Sequence, residues 1–346
     1  EGKDLNDKII NITVEEKATG EISAGAGFGT SGSTFNFGIR ENNYLGKGLT
    51  VDADATVSID SFRGKLGINN PNYKNSDKSV FANIQSIEID RTKNYGYKTN
   101  KTGFEVGTNF EYLDDLNLGL SGRSFFEKIS TDSSASATQQ KQKGNYFDAF
   151  TNLSFSYDKR NQKFRTTKGF ISSYGIDIPL VSENNTLTNA YNYKYYTELY
   201  ENNISSLSLF LKTANSLTGD DIKLSERLSI PGSKLRGFEI GKIGPKDGSD
   251  YIGGNHAATI NFTSTLPQIL ENAQNVDFLF FIDTANLWGV DYSSDIDQSN
   301  TLRSSTGFVL DWFTPIGPLN FSFAQDLSKA NDDKTETFQF SLGTTF

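Results

Sequence analysis

Asp52 with Asp54, and Glu105 with Glu111, are the acidic pairs in this chain whose types and spacing could do proton chemistry. Such a pair works by giving a proton from one carboxyl and accepting one on the other. Even spacing puts both members of a pair on the same face of a strand. Apolar residues stand on the opposite face (Ala53, Val106, Phe110), so the acidic face is the wet one. We read these groups as solvated charges, with paired-carboxylate catalysis as the alternative. Arg40 and Lys212 read the same way. His256 is the one histidine and cysteine is absent. That leaves little room for His-based catalysis and excludes a disulfide framework or a thiolate metal site. Gly25-Ala26-Gly27-Phe28-Gly29 is no dinucleotide motif, because no helix follows it. The net charge of -9 argues against nucleic acid as a main partner.

The elements that must position these residues are strands. Leu49, Val51, Ala53, Ala55 and Val57 alternate with Thr50, Asp52, Asp54, Thr56 and Ser58. Phe35, Phe37 and Ile39 oppose Thr34, Asn36 and Arg40, and Leu207, Leu209 and Leu211 oppose Ser206, Ser208 and Lys212. About sixteen such segments follow one another, starting near residues 20, 33, 48, 61, 78, 102, 115, 145, 168, 189, 204, 256, 275, 301, 317 and 336. Most run for about nine to thirteen residues, where a tilted membrane-crossing strand needs about 9–11 and a globular strand about five or six. No apolar run is long enough for a membrane helix, and mean hydropathy is negative. Both fit a barrel that is apolar outside and polar inside. The reading is all-β: a 16-stranded antiparallel transmembrane β-barrel. A soluble β-sandwich would need shorter strands and denser aliphatics.

Connections also alternate. Short links at 42–47, 113–115, 201–203 and 313–316 face longer ones at 90–101, 128–144, 214–255 and 288–300. The longest, 214–255, is the sixth outer loop, and a loop that long is usually functional. Two stretches break the pattern. Residues 78–90 switch phase near Ser86–Ile87, which predicts a β-bulge. Residues 276–282 are almost continuously apolar, which predicts apolar groups inside the barrel or a plug against that strand. At the start, Ile9, Ile10, Ile12 and Val14 read as a strand before Glu15-Glu16-Lys17. We divide the chain into 1–18, the end of a separate periplasmic domain with its linker, and 19–346, the barrel. With no signal peptide at Glu1, the chain reads as mature or truncated.

Leu235-Arg236-Gly237-Phe238 resembles the (V/I/L)-R-G-(F/Y) signature of BamA-type outer-membrane assembly factors. That superfamily also includes two-partner secretion transporters and the mitochondrial sorting-and-assembly barrel. The motif lies in the sixth outer loop, where the family has it. Other matches follow in family order. Val14-Glu15-Glu16-Lys17 with Thr19-Gly20 looks like the junction from the last periplasmic POTRA domain. Glu41 through Gly48 resembles the first periplasmic turn. Ile243-Gly244-Pro245-Lys246 and Gly253-Gly254-Asn255 follow the motif. Phe281 through Trp288 resembles the D-x-G-x-x-W strand, with Ala285 in place of glycine. Trp312 with Pro315 through Leu319 resembles the penultimate hairpin. Phe338-Gln339-Phe340 through Phe346 resembles the terminal recognition signal. The resemblance spans essentially 10–346. It departs on strand twelve, where the family commonly has a second glutamate and this chain has Asn261.

The resemblance implies a role for each of these residues. Loop six folds inward, and Arg236 pairs with Asp283 on the inner wall, with Asn261 beside it. Asp283 faces the lumen if Phe280 and Ile282 face lipid. Gly237 permits close approach, and Phe238 packs on the apolar inner patch. The alternative is an arginine on a solvated outer loop. The barrel closes between the first strand (Gly25, Gly27, Gly29) and the last (Ser341, Gly343). Glycine weakens a strand, so this seam reads as able to open; the alternative is that the glycines relieve curvature or make room. Phe338, Phe340, Leu342 and Phe346 read as lipid-facing residues and as the chain's own assembly signal. Tyr191, Tyr193, Tyr195 and Tyr200 read as lipid-facing and interfacial aromatics. The implied function is a non-enzymatic outer-membrane insertase without a cofactor. Its partners would be unfolded outer-membrane β-barrel proteins, outer-membrane lipids and periplasmic lipoproteins of an assembly complex. A secretion barrel of the same superfamily and a passive porin remain as alternatives.

Overall fold

A computed structural model of the chain describes residues 12–15, 17–163, 165–267, 275–291, 296, 300–315 and 317–345. Ile9, Ile10, Glu16, Phe346 and most of the segment 1–18 lie outside the described residues. Among the described residues, Gly20 opens the first strand. No helix is long and apolar enough to cross a membrane.

The first eight strands are β1 (Gly20–Gly29), β2 (Gly32–Tyr44), β3 (Leu49–Ser58), β4 (Ser61–Asn70), β5 (Ser79–Asp90), β6 (Tyr97–Leu113), β7 (Leu116–Thr131) and β8 (Gly144–Asp158). The second eight are β9 (Gly169–Val181), β10 (Thr186–Thr197), β11 (Ser205–Ser216), β12 (His256–Thr265), β13 (Val276–Trp288), β14 (Arg303–Thr314), β15 (Gly317–Ser328) and β16 (Phe338–Thr345). Each pairs antiparallel with its sequence neighbours, and β1 pairs with β16 to close the barrel. Closure removes the unpaired backbone edges that lipid cannot solvate. Loop six, residues 217–255, carries one short hairpin pairing Lys246–Asp247 with Asp250–Tyr251.

Alternation sorts the faces as expected. Ile22, Phe37, Ile39, Leu66, Ile84, Phe104 and Phe126 stand exposed on the outer wall. Tyr195, Tyr200 and Phe155 do the same farther round. The apolar inner residues cluster where loop six meets the walls of β11, β12 and β13.

Three expectations change. First, β5 has no bulge: its registers with β4 and β6 run without a break from Ser79 to Ile89. Ile84 faces out in mid-strand, whereas Glu88, on the same face, pairs with Lys98 at 2.7 Å. The outer face turns polar because the strand has left the hydrocarbon, so the pattern inverts while the backbone does not. Second, β6 begins at Tyr97 rather than near 102, and β6 and β7 reach 17 and 16 residues. Their upper ends carry no lipid-facing stripe to mark them. Third, loop asymmetry is partial. The first two outer connections, 30–31 and 59–60, are tight, and the inner connections 71–78 and 159–168 are longer. At 45–48 the inner turn uses positive φ at Leu45, Gly46 and Gly48, which glycine adopts without steric cost.

Ile84 and its neighbour Asn83 test the assignment of faces. Ile84→Arg should cost about 2–4 kcal/mol if it lies near the bilayer midplane. Asn83→Arg, one residue away on the lumen side, should cost far less. Urea titration of the refolded barrel in vesicles measures both; equal losses would contradict the assignment.

Candidate functional site

The continuous apolar run on β13 reflects a strand that is apolar on both faces, one turned outward and the other covered from inside the barrel. Phe278, Phe280 and Ile282 alternate with Leu279, Phe281 and Asp283, and Phe281 and Asp283 are inaccessible to water. Loop six covers them. Arg236 Nε donates to Asp283 Oδ2 at 2.8 Å and Nη2 to Oδ1 at 2.8 Å. The Arg236 backbone N–H adds a bond to Oδ2 at 3.0 Å. Asn261 Nδ2 donates to Oδ1 at 2.8 Å and to the Lys234 carbonyl at 2.7 Å. Each carboxylate oxygen therefore accepts two donors. The guanidinium carbon sits 3.8 Å from the centroid of the Phe281 ring, a cation–π contact worth about 2 kcal/mol when desolvated. In place of a second carboxylate, Asn261 uses one amide to fix both the acid and the loop backbone.

The pair belongs to a row. Asn261, Asp283 and Ser305 lie directly opposite one another on β12, β13 and β14. Ser305 Oγ donates to the Arg236 carbonyl at 2.6 Å. Gly237 adopts φ of 84°, and a Cβ there would stand 2.7 Å from Ala324 Cβ on β15. Gln339 on β16 donates to the Phe238 carbonyl at 3.1 Å. The motif thus runs as a bar across successive strands from β12 to β16. Leu235 and Phe238 are buried with Ile222, Ile243, Ala285 and Leu287.

Other ionic anchors were not legible in the sequence. Lys223 is wholly buried; its Nζ lies 2.5 Å from Asp148, 3.4 Å from Glu226 and 3.8 Å from Glu127. Arg227 reaches Asp291 at 2.6 Å, and Arg303 reaches Asp333 at 2.8 Å. Apart from Lys223 with Glu226, three residues on, these contacts unite residues far apart in sequence, so no local spacing marks them. A lysine or arginine in an outer loop facing an acid at a strand top is the available signal. Burial raises the Glu226 carboxyl above its usual range, and Lys223 only partly opposes this.

Three of the carboxylates singled out at the start are engaged by other groups. Asp52 engages Lys65 at 3.2 Å, Glu105 accepts from Ser121 at 2.7 Å, and Glu111 accepts from the Asp115 backbone.

At the seam, the ladder runs from Gly25 opposite Thr345, through Gly27 opposite Gly343, to Gly29 opposite Ser341. Against β2, by contrast, β1 pairs from Gly20 to Gly29. A Cβ at Gly29 would lie 2.5 Å from the Phe340 carbonyl, so this glycine is there for close approach. Gly27 and Gly343 have space around them. Phe338 and Phe340 face outward with ring centroids 6.3 Å apart. Leu342 shares their parity opposite Phe28.

Three variants probe these anchors. Arg236→Ala leaves Asp283 buried with little compensation, which costs about 3–5 kcal/mol and should expose 217–255 to protease. Arg236→Lys keeps the charge but loses the fork, and should fall between. Wild-type protease resistance of Arg236→Ala would contradict this. Lys223→Met removes the nearest cation from Glu226. A carboxyl whose folded pKa is raised contributes stability below its unfolded pKa and loses it as pH rises through the folded one. The gap between Lys223→Met and wild type should therefore widen from about pH 4 to about pH 7. A gap independent of pH in melting experiments would refute the assignment.

Comparison with known proteins fits this geometry. The chain is 23% identical over 98% of its length to the outer membrane protein assembly factor BamA of Neisseria meningitidis, covering 49% of that protein. It thus spans about half the length of that relative. A crystal structure of BamA from Haemophilus ducreyi lacking POTRA domains 1-3 superposes with a TM-score of 0.86 at 26% identity. That match covers 96% of this chain and 71% of the other. CdiB from Escherichia coli shares the fold, with a TM-score of 0.59 at 11% identity, covering 96% of this chain and 64% of its own. These likenesses and the closed barrel place the chain in the outer membrane as an integral β-barrel of BamA type. Residues 43–346 match the Omp85 superfamily domain, and the chain belongs to the Omp85 superfamily.

Proposed function

We propose that this barrel folds and inserts β-barrel proteins into the outer membrane through the seam between β1 and β16. The observation that carries the reading is the short seam. Among the described residues, the β1–β16 ladder runs from Gly25 to Gly29, whereas β1 pairs with β2 from Gly20 to Gly29. An edge with unpaired N–H and C=O groups is a template for strand addition. An incoming chain could add its own strand there, and ladder bonds with apolar burial would drive the step. The work is non-covalent and needs no cofactor. The relative from Neisseria meningitidis is named an outer membrane protein assembly factor, which supports the same reading.

The partners follow from it: unfolded outer-membrane barrel proteins as substrates, outer-membrane lipids as solvent, and periplasmic lipoproteins of an assembly complex. We further propose that residues 1–18 are the end of a POTRA domain and its linker, leading into the barrel at 19–346. A passive porin fits poorly, because loop six packs its apolar residues into the outer lumen. Likeness to CdiB is one of fold and gives a secretion role no specific support.

Gly27→Cys with Gly343→Cys places a disulfide across the seam at directly opposed positions. In vesicles, the oxidised protein should insert an unfolded barrel substrate no faster than protein-free vesicles do, and reductant should restore the rate. Full activity with the bond formed would remove the proposal.

A further inference from the structure

The chain between β15 and β16 does not pass straight from one strand to the next. The β15–β16 ladder stops at Phe323 opposite Phe338, although β15 continues to Ser328. Residues 329–337 bend inward and pair with loop six. Glu336 N–H donates to the Gly237 carbonyl at 2.9 Å, Glu239 N–H to the Lys334 carbonyl at 3.0 Å, and Lys334 N–H to the Lys242 carbonyl at 3.0 Å. Phe238 and Thr335 form an antiparallel bridge. Tyr251 Oη donates to the Asp332 carbonyl at 2.6 Å, and Gln339 to the Phe238 carbonyl.

Asp333 sits at the centre of this seal. Its carboxylate takes Arg303 Nε at 2.8 Å and Nη2 at 3.1 Å from β14. It also accepts the Gly244 N–H at 3.3 Å from loop six and the Ala330 N–H at 2.7 Å from its own turn. The ion pair is shielded from water on both sides, and breaking a buried pair is costly because one charge is left uncompensated.

We infer that these contacts form a latch in which loop six holds the outer end of β16 and Asp333 is the positioning residue that keeps it shut. The last strand is thereby tied to β13 through Arg236–Asp283 and to β14 through Arg303–Asp333. Among the described residues, β1 is held by its ladder to β2 and by its shorter ladder to β16. When the seam parts, β16 stays with the body of the barrel and β1 moves. This consequence rests on the proposed seam function; the latch geometry does not.

Glu239→Cys with Lys334→Cys locks the latch at backbones already bonded to each other. The full chain, with whatever domains adjoin it, is reconstituted in vesicles and given an unfolded barrel substrate. Insertion should be the same with the disulfide formed or reduced. Loss on oxidation with recovery on reduction would overturn the inference, because the latch would then have to open. The Gly27–Gly343 disulfide in the same vesicles tests the seam separately: if that protein inserts normally, the seam reading fails whatever the latch does. Asp333→Asn gives a readout independent of insertion. Amide exchange across 334–340 should quicken by about tenfold or more while 276–288 is unchanged. Should that variant not fold, Gln339→Leu and Tyr251→Phe remove latch bonds without leaving a charge buried, and the same exchange is read. Unchanged exchange at 334–340 in the variants would also overturn it.

Discussion

A guanidinium and a carboxylate that meet inside a barrel have both lost water, and their attraction offsets that loss only when the remaining donors and acceptors are matched. Arg236 and Asp283 meet this condition. Each carboxylate oxygen accepts two hydrogen bonds, and the guanidinium face rests on Phe281. The apolar run on β13 makes the site dry; the side chains around the pair make it specific. The depth of loop six follows from this contact, with the carbonyls of Lys234, Arg236 and Phe238 bound in turn by Asn261, Ser305 and Gln339.

Once the loop is fixed, the barrel becomes mechanically uneven. From β12 to β16, neighbouring strands are joined by their ladders and again by the bar of residues 235–239. Among the described residues the first strand is held by its ladders, and the one with β16 spans Gly25 to Gly29. Glycine at Gly29 allows the two backbones to approach closely, so the seam is formed rather than merely loose. In the proposed mechanism, a joint that is well made but short would separate without disturbing the braced side. That combination is what a strand-adding insertase requires.

Much of the fold was legible because lipid imposes a period of two. Phe37, Leu66, Ile84 and Phe104 announce their face, and the strand order follows from antiparallel neighbours. The pattern fails where its cause ends. Above the hydrocarbon, Glu88 and Lys98 face outward as freely as isoleucine does below, which imitated a bulge in β5 and hid the start of β6. Arg236 with Asp283 was legible through a four-residue motif, and Asn261 through its place on strand twelve, where the resembled family commonly has a glutamate. Lys223, Arg303 and Asp333 were not, because their partners are set by how loops lie over one another, and no period encodes that. Gln339 was hidden differently: its neighbours Phe338 and Phe340 mark the lipid face, while the inward residue between them holds the loop.

The central claim is that loop six is held in the lumen by a two-pronged ion pair in the membrane-embedded protein. Solid-state NMR of protein labelled at the arginine guanidinium nitrogens and the aspartate carboxyl carbons can read that contact in lipid. Strong dipolar coupling from both Nε and one Nη of Arg236 to the Asp283 carboxyl carbon is the predicted result. A guanidinium that shows no coupling to Asp283 and exchanges freely with water would contradict the account.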